Sequence, residues 1–406
     1  MIRKWILWAL FACFAAFCII WLTQLVVDAV KSDSTRRMVK ELRAERAAQA
    51  TGPIYIGAAG DWKSQHKNLL DGINLAADEI NAAGGVLGRP IKIVVKDDGG
   101  SVATGMEVAQ EFAENIDVVA VIGHTATAVA NVTPIIYEYD GLLLLSPLSS
   151  HPNLTKKENQ LFFRKIPTEL QWGKQLAEFA AYKGFKRIAI YCFQDDYFRR
   201  LSNAFEKSSA ELGLTIVDRL PYDATYVAAT FKSDFNVWKN QFKPDAILLL
   251  GHFPLAAECA IQMRTAGFDI PIISSRDLDN DDFITRAGKK AENTYVASLF
   301  DTRLDRPEVI TFNNAFKAKY GYLPHQYAAQ GYDSMKLLAH VIQVSGSTVP
   351  AKMAETLRSV KNWQGVTGLH TFDKFGDVSG KKLFMKVVKN GRFELVEMPK
   401  GVATGL

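Results

Sequence analysis

Apolar residues in this chain fall into short unbroken runs, separated by longer stretches in which they recur every three or four positions. The runs "IYIGAAGD" (54–61), "IKIVVKDD" (91–98), "VVAVIG" (118–123) and "LLLLS" (142–146) predict strands. Between the first two, Leu69, Leu70, Ile73, Leu75, Ala76, Ala77 and Ile80 keep helical spacing until Gly84 and Gly85 stop them. Further helices are predicted over 102–114 and over 126–139, the latter interrupted by Pro134. The alternation then starts afresh. Strands "RIAIYCF" (187–193), "TIVDRLPY" (215–222), "DAILLLG" (245–251) and "PIISS" (271–275) enclose helices at 199–212, 230–241 and 256–266. Short, fully apolar strands between amphipathic helices predict parallel sheets covered on both faces. Two such sets predict two similar α/β lobes. Two more helices follow (about 307–320 and 328–345), then the hairpin pattern "LHTFDKFGDVSGKKLFMKVVKNGRFELV", whose "NG" signals a tight turn.

The N-terminus breaks this pattern. Arg3 and Lys4 precede "WILWALFACFAAFCIIWLTQLVV" (5–27), an uncharged run long enough to span a bilayer. No small-residue cleavage site follows it, so residues 1–30 read as an uncleaved transmembrane anchor in preference to a signal peptide. The folded body then lies on one side of the membrane, most simply the exported one. Residues 31–52, "KSDSTRRMVKELRAERAAQATG", read as a helical stalk with a solvated, charged face.

Composition narrows the functional classes. With 406 residues, 48% hydrophobic and 22% charged, the chain is an ordinary folded protein of more than one domain. The net charge of +5 is local: residues 1–50 hold eight Lys/Arg against four acids, leaving 40 against 39 elsewhere. The near-neutral body argues against nucleic acid. Cys192 and Cys259 stand alone in the globular part, without a zinc spacing, and read as buried free thiols rather than a disulfide.

Enzyme signatures fail. "GAAG" (57–60) supplies too few glycines for a dinucleotide fingerprint, and there is neither a phosphate-binding loop nor a G-x-S-x-G elbow. "DLDND" (277–281) starts like a calcium loop, but Asp282 and Gly288 stand where Gly and Glu are required. His124, His151 and His252 all sit near strand exits, yet no acidic helper or tight spacing accompanies them, so no metal and no cofactor is expected.

Ligands of such sheets bind beyond the carboxyl ends of the strands. The exits here are "AGDW" (59–62), "GHTAT" (123–127), "SPLSS" (146–150), "QDDYF" (194–198), "GHFPL" (251–255) and "SRDLDND" (275–281), rich in hydroxyls, glycine and aromatics. Thr125 and Thr127 are candidates to present a helix N-terminus to a carboxylate, although Thr125 also suits a plain helix cap. Ser149 and Ser150 offer polar groups one strand over. Trp62 and Phe253 offer apolar walls.

Several segments in order resemble the periplasmic amino-acid-binding proteins of the leucine/isoleucine/valine type, the solute-binding components of ABC importers. They are "GINLAADEINAAGGVLGRPIKIVVKDD" (72–98), "VVAVIGH" (118–124), "SPLSSHPNLT" (146–155), "FFRKIPTE" (162–169), "QDDYF" (194–198), "QYAAQGYDSMKLLAHVI" (326–342) and "TGLHTFDKFGD" (367–377). The resemblance implies a type 1 periplasmic-binding architecture: two Rossmann-like lobes joined by a three-strand hinge, 53–169 with 301–372 and 170–300 with 373–400, and a ligand cleft between them. It places the pocket at Thr127, Leu148, Ser150, Tyr197 and near Phe253. It puts the acid that holds a ligand ammonium at Arg276 or Asp277. Asp277 in the cleft keeps an amino acid as ligand; Arg276 there favours an anion. The expected function is capture of a small polar ligand, an amino acid or related amide or carboxylate, without turnover. Delivery to an ABC permease is expected, from a position anchored at the periplasmic face; reporting to a membrane signalling partner is the alternative.

Overall fold

A computed structural model describes residues 37–64, 66–155, 159–225 and 228–397. The apolar run 5–27 lies outside them. Among the described residues no helix is long and apolar enough to cross a membrane.

The first sheet is parallel throughout. Its strands are β1 (Ile54–Gly60), β2 (Ile91–Asp97), β3 (Val118–Ile122), β4 (Leu143–Ser146) and β5 (Phe162–Arg164), in the order β2-β1-β3-β4-β5. Every residue of β3 and β4 is buried, as unbroken Val, Ile and Leu runs require when helices cover both faces. The second sheet holds β6 (Arg187–Phe193), β7 (Thr215–Tyr222), β8 (Ala246–Leu250), β9 (Ile272–Ser274) and β10 (Thr294–Ser298), all parallel. Two antiparallel strands, β14 (Phe384–Lys389) and β15 (Arg392–Leu395), extend its edge. Their turn is Asn390–Gly391, with φ of 53° and 72°, the conformation for which Asn-Gly is suited. A small sheet of β11 (Trp363–Gly365), β12 (Gly368–Phe372) and β13 (Val378–Ser379) completes the strands.

The chain passes between the sheets after β5, after β10 and after β13. The helices following the second passage, α11 (Pro307–Tyr320), α12 (Gln326–Ser345) and α13 (Pro350–Ser359), pack on the first sheet's core. Below, each sheet with its helices is called a lobe. Among the described residues the most extensive helix contact is between α12 and α2 (Lys67–Ala82). A Cβ on Gly72 would lie 1.9 Å from the Ala328 carbonyl, and one on Gly331 2.0 Å from that of Leu69, so both crossings demand glycine.

Two expectations are corrected here. Residues 37–49, expected in a solvated stalk, form a helix (α1) docked on the first lobe. Arg43 is fully buried, and its guanidinium donates to the carbonyls of Asp140, Asn115 and Val118 at 2.9–3.0 Å and to that of Ala113. A charge count cannot distinguish an arginine in water from one closing four backbone carbonyls. The helix expected over 126–139 is two, α4 (Thr127–Ala130) and α5 (Pro134–Tyr139), because Pro134 starts a new helix at its first position.

Candidate functional site

The site lies where the carboxyl ends of the two sheets face each other. On the first lobe, β1 exits into Asp61 and Trp62. The Trp62 Nε1–H donates to the Lys96 carbonyl at 2.9 Å, and the Asp61 N–H donates to Thr125 Oγ1 at 3.0 Å. Thr125 therefore braces the neighbouring strand exit and does not cap the following helix, whose N-cap is Ala126. Thr127 is the first residue of α4 and is partly buried. The Ser149 hydroxyl lies 3.4 Å from the His124 carbonyl, and that of Ser150 lies 3.3 Å from Glu169 Oε1. Both serines are buried, and both hydroxyls have protein acceptors.

On the second lobe, the turn after β9 carries Arg276 and Asp277. Arg276 reaches across the lobes: its Nη2 donates to the Leu148 carbonyl at 3.1 Å. Its guanidinium stands 5.8 Å from the ring centre of Trp172 on α6 (Glu169–Tyr182). Asp277 points the other way, into its own lobe. It accepts from Ser275 Oγ at 2.8 Å and from His252 Nδ1 at 3.2 Å, while His252 Nε2 also meets Asp195 at 2.9 Å. Burial disfavours the His252 charge, but the hydrogen bonds to Asp195 and Asp277 outweigh it and raise its pKa to about 10. Asp277 is likewise held below the usual carboxylate range: burial opposes this, and the bond from charged His252 overrides it.

Tyr197, near the start of α7 (Asp196–Glu211), brings a hydroxyl that is buried without a partner. Burial raises its pKa, and the Arg276 charge acts against that rise. Phe253 packs against the second lobe's core.

Three residues of the site were not singled out from the sequence. His66 is the N-cap of α2, and its ring centre lies 5.3 Å from that of Tyr327 at the start of α12. Burial, then the field of Arg276, lowers the His66 pKa to about 4, so the ring is neutral near pH 7. Burial raises Tyr327 to about 12 despite the same arginine. Glu169 is fully buried at the start of α6, bonded by Arg200 Nε at 2.5 Å. Burial still raises its pKa, with Arg200 opposing. The common signal was available: all three stand at or next to a helix N-terminus.

The other two histidines at strand exits have structural partners. His124 joins Asp98 at 2.6 Å and Tyr137 at 2.9 Å, and the His151 ring accepts from the Asn153 N–H at 3.2 Å. In the loop that starts like a calcium site, Asp279 pairs with Lys386 at 2.9 Å and Asn280 caps α10 (Asp281–Ala287). Among the described residues no group of three His, Cys, Asp or Glu is arranged to hold a metal ion. Cys192 and Cys259 are buried and free.

Comparison with known proteins places this arrangement. The periplasmic binding protein family model matches residues 54–392. An amino acid binding protein of Pseudomonas aeruginosa is 26% identical over 344 residues, covering 82% of this chain and 89% of its own. A leucine-, isoleucine-, valine-, threonine- and alanine-binding protein of the same organism is 26% identical over 337 residues, covering 82% and 86%. Among solved structures, an ABC transporter substrate-binding protein from Desulfitobacterium hafniense in complex with Leu superposes with a TM-score of 0.77 at 34% identity, covering 85% of this chain and all of that one. The match extends over both lobes and the passages between them, and this chain belongs to the periplasmic binding protein family.

Proposed function

We infer that this protein is an exported, membrane-anchored solute receptor. It captures a small polar ligand, an amino acid or related amide or carboxylate, between its two lobes and delivers it to an ABC importer. One observation carries the reading: Arg276 of one lobe reaches the Leu148 carbonyl of the other at 3.1 Å, and the Tyr197 hydroxyl, within the field of that arginine, is buried and unpartnered. A ligand that touches both lobes favours closure only through contacts present in the closed state, and the contact of Arg276 across the lobes supports such a role. The relatives whose names or complexes carry amino acids support the ligand class. The absence of nucleophile and cofactor motifs supports binding without turnover.

Thermal-shift screening of the full chain against amino acids, amides and small carboxylates tests the reading. Saturating ligand at about 100 times Kd adds ~2.7 kcal/mol to stability. Hydrolysis of a compound that confers no stabilisation would refute it. Membrane fractionation with N-terminal sequencing tests the anchor at residues 5–27. Co-purification with permease and ATPase subunits supports transport; recovery with a kinase or cyclase instead would replace it by signalling.

A further inference from the structure

The charges around the cleft are not evenly engaged. Two carboxylates stand near Arg276, and both are shielded. Glu169 is fully buried with both oxygens turned to Arg200 and one also to Ser150. Asp277 is 9% exposed and has one oxygen on His252 and the other on Ser275. Each therefore already has its own cation within hydrogen-bond distance. Arg276 is the reverse case. Among the described residues it forms no ion pair, and of its five guanidinium N–H groups one is committed, to the Leu148 carbonyl. Its guanidinium carbon lies 5.8 Å from the Trp172 ring centre, and the Tyr197 hydroxyl, which feels the Arg276 charge, is buried without a hydrogen-bond partner. Tyr327 and the ring of His66, with centres 5.3 Å apart, both stand in the field of the same arginine.

Deepening the solute-receptor reading and resting on it, we propose that the cleft selects a small monocarboxylate with an apolar body and no ammonium group, its carboxylate taken by Arg276 and the Tyr197 hydroxyl. A planar guanidinium with free parallel N–H groups matches a carboxylate in two bonds at once. Aromatic rings suit an apolar body. An amino acid has to bring its ammonium toward the unpaired Arg276 charge, where the nearby carboxylates are already paired with Arg200 and His252, and loses affinity accordingly.

The test is a calorimetric titration of the full chain in detergent with matched triplets of one skeleton. These are 4-methylpentanoate, leucine and 4-methylpentanamide, and phenylacetate, phenylglycine and phenylacetamide. In at least one triplet the acid is expected to bind about tenfold or more tighter than both others. Arg276→Gln removes that preference while leaving the amide within about threefold, and Arg276→Lys retains part of it. Should Arg276→Gln not fold, the triplets on the unaltered chain decide alone. An amino acid that binds tighter than its deaminated acid overturns the proposal and leaves the solute receptor standing. Absence of binding by every member of both triplets and of a wider amino acid, amide and carboxylate panel overturns both.

Discussion

The Arg276 guanidinium donates to the Leu148 carbonyl at 3.1 Å, tying the exit of β9 in one lobe to the exit of β4 in the other. Its neighbour Asp277 turns inward to His252. One residue of register thus decides whether a cation or a carboxylate faces the cleft.

The unpartnered Tyr197 hydroxyl gives the most local test of the site. Tyr197→Phe removes a buried hydroxyl that nothing in the protein satisfies. The unliganded protein is expected to be as stable or slightly more stable, while ligand affinity falls by about 1 kcal/mol, roughly fivefold. Melting and titration of the variant separate the two effects; unchanged affinity would remove the hydroxyl from the site.

Arg43 is expected to be structural in the first lobe. Arg43→Met keeps the apolar stem and leaves buried carbonyls of Asp140, Val118 and Ala113 without their donor. A loss on the order of 3 kcal/mol is expected in urea unfolding, with ligand affinity per folded molecule unchanged. A loss below about 0.5 kcal/mol would return α1 to the role of a loosely attached stalk.

The His252 bridge sets a pH dependence. Its pKa is raised to about 10 from an ordinary 6.5, so the folded protein holds this proton more tightly than the unfolded chain. The stabilisation is therefore complete below about pH 6.5 and declines as pH rises toward about 10. The side chain is 56% exposed, so solvent screens both pairs and the effect is best read spectroscopically. The His252 ring signals are expected to show no deprotonation between pH 6 and about 8. Titration near 6.5 would mean that the bridge to Asp195 and Asp277 is not held in solution.

Asp333 is the acceptor at the passages between lobes. It is 1% exposed, takes the N–H groups of Val366 and Thr367 at 2.8 Å each, and faces Lys165 at 3.9 Å. Burial lowers Lys165 to about 8, with Asp333 opposing, so this carboxylate helps keep a buried ammonium charged. Asp333→Asn turns an amide donor toward backbone donors and removes the counter-charge. A loss on the order of 2–3 kcal/mol is expected in denaturant melts. A variant as stable as the parent would show that the charge is dispensable there.

Much of the fold was legible because parallel strands between two helical layers are apolar along their whole length. The runs at 118–123 and 142–146 mark strands without reference to anything distant. The same logic explains what was missed. β5 and β10 are three and five residues long and merge into the passages between lobes, leaving little pattern to read. For the site, Thr125, Ser149 and Ser150 were correctly placed at strand exits, but their hydroxyls are used by Asp61, His124 and Glu169, which are 19 to 64 residues away.

By itself the sequence determined the alternation, most strands of the two lobes and the Asn390–Gly391 turn, since each depends on local sterics or periodic burial. Tertiary structure alone decided that Arg276 reaches Leu148 of the other lobe while Asp277 bonds His252 within its own, that Arg43 is buried, and that His66 meets Tyr327. These are properties of which groups become neighbours after the chain has crossed between sheets three times, and no local spacing encodes which way a side chain turns when its partners are supplied by another lobe.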